Sequence, residues 1–114
     1  FLIASSEWFA FIPAKEYFDE PGDHADELET SVMMHYHPEL VNLDEAGDGN
    51  YKKFASQMLN EKVAWIPRNW QNVSQDTGIG NPKKASAGKG KKYAEAVVAK
   101  YALLFEELVH KELY

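Results

Sequence analysis

The sequence contains no cysteine. Disulfides, thiolate metal sites and cysteine nucleophiles are thereby excluded. No apolar run approaches the ~20 residues needed to cross a bilayer, so no membrane segment is expected. Basic residues are in the minority: 12 Lys and Arg stand against 18 Asp and Glu, for a net charge of −6. Proteins that grip nucleic acid need a basic face to meet phosphates, so no nucleic-acid partner is expected. The one basic cluster, Lys83, Lys84, Lys89, Lys91 and Lys92, reads as a solvated loop and helix start. No internal repeat is present. The glycine signatures for phosphate are broken as well. Gly78 and Gly80 lack the third glycine of G-x-G-x-x-G, because Lys83 stands there, and Gly88–Lys89 lacks the glycine and hydroxyl of a P-loop. The opening stretch FLIASSEWFAFIP has no basic leader and meets polar residues by Ser5. A signal peptide is therefore not expected, and the default is a soluble cytoplasmic protein.

What is there is a chain of 114 residues, 45% hydrophobic, 13% aromatic and 26% charged. That is enough apolar material for a core in one domain or part of one. The chain starts without methionine, directly in an apolar stretch, where a natural terminus is ordinarily polar and frayed. The expectation is a single partial domain over 1–114, beginning in a buried strand cut from a longer polypeptide.

Residues 1–4 read as that strand. Trp8 follows its polar C-terminal end, as either a pocket wall or a packing tryptophan, because open α/β sheets bind ligands beyond their strand ends. Pro13, Pro21 and Gly22 punctuate a connection. Asp23 then offers an N-cap for a helix from about Ala25 to Tyr36, with Asp26 and Glu27 matching the dipole in its first turn. Leu28, Val32 and His35 or Tyr36 form its apolar stripe, widened by Ala25 and Met33, and Pro38 stops it. Residues 39–44 read as a short strand or extended link, 45–50 as a turn, 51–61 as a short helix and 62–66 as a strand ending before Pro67. A long loop leads to a final amphipathic helix from Ser86 to about Glu112, with Tyr93, Val97, Tyr101, Leu104, Phe105, Leu108 and Val109 on one face. Its early Gly88 and Gly90 imply an anion site, a close backbone approach or a later helix start. Alternation of strand and helix argues for an α/β layer structure.

The chemistry concentrates in GDHADELETSVMM, residues 22–34. His35, His37 and His110 read as surface or packing side chains. His24 lies at a helix start after a loop, and imidazole titrates near neutrality, which suits a general acid or base. His24 with Glu27 could chelate a metal, yet H-x-x-E is a weak pattern and a stable site needs three or four ligands. The alternative is a plain capped helix. Glu29, at i+5 from His24, falls on another side of the helix and beside Leu28. A carboxylate facing a core needs an ion, a hydrogen bond or a metal.

These residues match a known pattern in order. His24, Glu29, Thr30 and Ser31 are followed by Pro38, Leu40 and Val41, then by Thr77, Gly78, Gly80 and Pro82, and by Lys89 and Gly90 within ASAGKG. Together they resemble the C-terminal half of the creatininase (creatinine amidohydrolase) family. The resemblance implies a three-layer α/β fold around a largely parallel sheet, with a long C-terminal helix. It implies a metal-dependent amidohydrolase that cleaves a C–N bond of a small cyclic or formylated amide, using two bridged divalent metals (Zn, Mn or Fe). His24 then takes the place of the catalytic acid–base histidine, Glu29 of a metal-ligand glutamate, and Trp8 of a substrate-pocket tryptophan. A homo-oligomer is implied, and the remaining ligands would come from an N-terminal half of the same domain. Two departures stand out: Asp26 replaces a usual glycine, and Glu20 occupies the place of a second pocket tryptophan, which puts creatinine itself in doubt as substrate. The competing reading is a non-catalytic interaction or oligomerisation module built on the long helix and glycine-rich loop.

Overall fold

The computed structural model describes residues 3–112. Among them, the helices in chain order are α1 (Glu27–Tyr36), α2 (Gln57–Asn60), α3 (Trp70–Val73) and α4 (Ala87–His110). Single 3-10 turns stand at Ala14–Glu16, Pro38–Leu40, Leu43–Glu45 and Pro82–Lys84. The residues expected to be strand or link at 39–44 thus belong largely to two of these turns, and the helix expected over 51–61 is a single turn.

The described residues are helix-rich and contain no strand; their isolated β-bridge joins His24 to Ile79. A parallel sheet is not among them. The strand expected at 1–4 falls partly outside the described residues, and Ile3 and Ala4 are irregular and exposed. The strand expected over 62–66 does not form. A strand is stable only with a hydrogen-bonded neighbour, and among the described residues none lies beside this segment, whose Val63 and Trp65 are 70% and 82% exposed.

Helix α1 starts later than the sequence suggests, at a different cap. Asp26, not Asp23, is the N-cap: its carboxylate accepts the Glu29 N–H at 2.9 Å and the Gly22 N–H at 2.5 Å. Residues 23 and 24 bridge to Ile79 instead: its carbonyl accepts both their N–H groups, at 2.7 and 3.0 Å, and its N–H occupies the His24 carbonyl, at 2.8 Å, which a helix would need for its own ladder. Ala25 then turns the chain with a left-handed φ of +48°, a conformation that costs a non-glycine residue about 1 kcal/mol or more. The helix ends at Tyr36, ahead of Pro38, as expected.

Helix α4 begins where the sequence places it. Ser86 is its N-cap and accepts the Lys89 N–H. Of the two early glycines, Gly90 makes the close approach: a Cβ there would lie 1.9 Å from the Ser31 carbonyl oxygen, whereas nothing lies within 4 Å of one at Gly88. The two helices therefore touch backbone to backbone, and the buried Ser31 hydroxyl accepts the Ser86 N–H at 3.0 Å across the contact. Around this contact Ile12, Phe18, Leu28, Tyr93 and Val97 form the core. Tyr93 is fully buried, and its hydroxyl donates toward the carbonyls of Phe9 and Ile12, which ties the N-terminal segment to α4.

Tyr101 still packs against the core and Phe11, but beyond it much of the apolar face of α4 is uncovered among the described residues. Phe105 is 60% and Val109 74% exposed. The radius of gyration is 16.8 Å, against about 13 Å for a compact globule of this length. Among the described residues no helix is long and apolar enough to cross a membrane.

Candidate active site

The stretch at residues 22–34 divides its carboxylates differently from the sequence expectation. Glu29 was expected to face the core; its side chain is 36% exposed, and Glu27 is the fully buried one. Helical positions 27, 28 and 31 share the face that α4 covers. The buried Glu27 carboxylate is matched on both oxygens: Oε1 pairs with Lys89 Nζ, and Oε2 accepts the Glu20 N–H at 2.6 Å. Lys89 also bonds Asp19 at 2.8 Å. These carboxylates, Asp19 foremost, push the Lys89 ammonium above its usual range, and Lys89 in turn holds Asp19 below its own. Lys84 reaches Glu20 at 2.6 Å. Part of the basic cluster is thus structural wiring between a loop and two helices, not a solvated run. With Glu27 committed to Lys89, the His24–Glu27 chelate is not formed.

His24 and Glu29 come together instead. Nδ1 of the histidine lies 3.5 Å from Oε2 of the glutamate. A continuous helix from Ala25 would have separated them. The left-handed turn at Ala25 and the later helix start bring the imidazole back over the first turn. The same Oε2 accepts the Ala25 N–H at 2.7 Å, which fixes the carboxylate at the helix end in the manner of a capping box shifted by one residue. Glu29 Oε1 and His24 Nε2 have no hydrogen-bond partner among the described residues.

The backbone of His24 is clamped from the other side. Besides accepting from His24, Ile79 donates its N–H to the His24 carbonyl at 2.8 Å. The TGIG loop can lie this close only through its glycine at 80, which has φ +126° and would put a Cβ 2.7 Å from that of Asp26. The glycine-rich loop, tested above for phosphate and found wanting, serves to hold a histidine.

Trp8 and Glu29 line one cavity of about 510 Å³, together with Met33, Leu40, Asp76 and Gly78. Its size falls within the usual range for small-molecule sites. Trp8 also packs edge-on against Tyr93, with ring centroids 6.3 Å apart, so it is both packing residue and cavity wall. His24 stands beside this cavity, in contact with Glu29, without lining it.

Sequence reasoning missed Trp70. It lies just beyond the expected strand, begins α3 and sets its ring 4.9 Å from that of His24. Arg68 lies 5.4 Å from the Trp70 ring centroid and bonds Asp23 at 2.6 Å. An arginine and a tryptophan two residues apart in a turn-rich stretch just after Pro67 were the available signal.

A metal centre needs three or more donors. Among the described residues no group of three His, Asp or Glu could hold a cation. The residues present fit one ligand of a metal site, Glu29 with its free Oε1, and not a complete site.

Comparison with known proteins matches this chain to one family. No curated protein matches the chain. The family model "Creatininase: Creatinine amidohydrolase" matches residues 4–105. A crystal structure from Bacteroides fragilis, of a protein provisionally named a creatinine amidohydrolase, is similar over 100% of this chain, at 58% identity and a TM-score of 0.90. The match covers 46% of that protein, so this chain spans about half its length. With the family model matched over most of its length and more than half of its residues identical to those of that structure, the chain belongs to the creatininase family.

Proposed function

We propose that this chain supplies the acid–base histidine and one metal ligand of a metal-dependent amidohydrolase that cleaves a C–N bond of a small cyclic or formylated amide. The observation that carries the reading is the pairing of His24 with Glu29 at 3.5 Å on the rim of a cavity walled by Trp8. Glu29 would ligate a divalent metal (Zn, Mn or Fe, as one of a pair) through Oε1, with the remaining ligands coming from an N-terminal half of the domain. A bound divalent metal supplies an activated water and a Lewis acid for the amide carbonyl.

The chain's own residues do the rest. The Ala25 N–H holds Glu29 Oε2 in place, so Oε1 presents a fixed direction. The same carboxylate favours the imidazole tautomer with its proton on Nδ1. Nε2 is then the nitrogen that takes up a proton and returns it to the leaving nitrogen. Trp8 offers a flat apolar wall to a planar amide. The complete protein would act in the cytoplasm as a homo-oligomer.

The test is a chimera in which this chain replaces the matched part of the Bacteroides fragilis protein. Metal content is measured, and turnover is assayed on creatinine and a panel of N-formyl amines. Glu29→Ala lowers bound metal; unchanged occupancy refutes the ligand assignment. His24→Ala keeps the metal and loses at least ~100-fold in turnover.

One observation favours the second reading, an interaction module: the uncovered apolar face of α4. In the first reading the rest of the domain covers that face. Size-exclusion chromatography separates the two. Self-association of the chain that persists unchanged in the chimera supports the module.

A further inference from the structure

We infer that Trp70 is a positioning residue for His24, held in place by an Arg68–Asp23 strut. The inference rests on the reading of His24 as the proton-transfer group. Three constraints act on this histidine. Its backbone is pinned by the bridge to Ile79. Its Nδ1 edge faces Glu29 at 3.5 Å. Neither of these fixes the tilt of the ring, because χ2 of a histidine has broad wells and 3.5 Å is too long for a tight hydrogen bond. The third constraint is the indole of Trp70, 4.9 Å away centroid to centroid and inclined at 44°. It stands against the ring.

Trp70 is itself braced. The Arg68 guanidinium lies 5.4 Å from its centroid, within the range where cation–π attraction operates. Arg68 Nη2 bonds Asp23 Oδ1 at 2.6 Å, and Asp23 is the residue before His24. The four side chains close a ring: Asp23 to Arg68, Arg68 to Trp70, Trp70 to His24, and the chain back to Asp23. Helix α3 is only four residues long and, among the described residues, does not pack extensively on α1 or α4. The contacts of Trp70 with His24 and Arg68 are therefore a specific reason for an indole at this position.

Two readouts test this. The first needs no catalysis: the ring resonances of the four histidines, read at one fixed pH in this chain. Trp70→Leu moves the His24 resonance toward that of an exposed histidine and leaves His35, His37 and His110 unmoved. A His24 resonance unmoved in a folded variant overturns the proposal. If Trp70→Leu shifts all four resonances together, Trp70→Phe, which keeps an aromatic face, decides: a His24 resonance back near its wild-type position supports the proposal, and one still displaced overturns it. The second readout is kinetic, in the chimera described above. Trp70→Leu lowers kcat by roughly 10–100-fold, the scale for a misplaced catalytic group, with KM little changed, and Trp70→Phe restores most of the loss. A rise in KM with kcat intact overturns the proposal, because it would make Trp70 a substrate contact. The two readings fail separately. Full turnover in His24→Ala overturns the role of His24, while the histidine resonances still report whether Trp70 holds the ring.

Discussion

Gly90→Ala places one methyl group at the point where α1 and α4 touch. The added Cβ would lie 1.9 Å from the Ser31 oxygen, 2.3 Å from its carbonyl carbon and 2.7 Å from the Val32 nitrogen. All three are backbone atoms of a helix, so none can swing aside. Ordinary carbon–oxygen contact is about 3.4 Å, so the helices must part by about 1.5 Å. A gap of about 1 Å already forfeits up to about half of the dispersion attraction across a contact, and the core residues Leu28, Tyr93 and Val97 lie on this interface. The overpacking costs about 3 kcal/mol, and the better helix propensity of alanine offsets about 1 kcal/mol of it. The net loss of about 2 kcal/mol corresponds to a fall in Tm of roughly 8 °C for a domain of this size. Gly88→Ala is the control, because it meets open space and stabilises by up to about 1 kcal/mol. Urea unfolding followed by near-ultraviolet circular dichroism measures both. A Gly90→Ala midpoint equal to wild type, or a Gly88→Ala loss as large, would refute the close packing.

Ser31→Ala removes the buried acceptor of the Ser86 N–H, and the orphaned donor costs about 1–3 kcal/mol; in urea unfolding, Ser31→Gly should be no milder and Ser31→Thr no better than wild type. Burial pushes the Tyr93 phenol above its usual range. Because the folded value lies above the unfolded one (about 10), the stabilisation this represents is whole below pH ~10 and is lost as pH rises through the folded value. Tyrosinate absorbance should show one of the six tyrosines ionising late. Tyr93→Phe should abolish that late step and cost about 1 kcal/mol through the hydrogen bonds to Phe9 and Ile12; an unchanged titration would show that the late tyrosine is another residue.

The long helix and its start after Ser86 were legible because both are written locally, in periodicity; close backbone approach was one of three readings of Gly88 and Gly90, and the structure selects it at Gly90 alone. The cap of α1 was not. Asp23 and Asp26 are equivalent by local rules, and what selects Asp26 is the grip of Ile79 on residues 23 and 24. The exchange of Glu27 for Glu29 as the buried carboxylate has the same origin. Leu28 lies between them, and only the ammonium of Lys89, remote in sequence, identifies which one turns inward. The roles proposed for His24, Glu29 and Trp8 rest on the ordered family pattern. Their distances, and the contact of Trp70 with His24, are set by packing between distant segments that no local pattern encodes. The strand expected at 62–66 shows the limit from the other side: an apolar run states that burial is wanted, not that a partner is at hand.

The bridge between His24 and Ile79 also sets an order of assembly. His24 and Glu29 are neighbours in sequence, and a short peptide containing both would have the chemistry without the geometry. The ring finds its place only when the loop around Ile79 has returned, and closing a loop that long has an entropic cost that must be met before the contact gives anything back. A nascent chain that has passed residue 34 therefore carries every atom of the pair and no site. The placing of the ring waits for the glycine-rich loop.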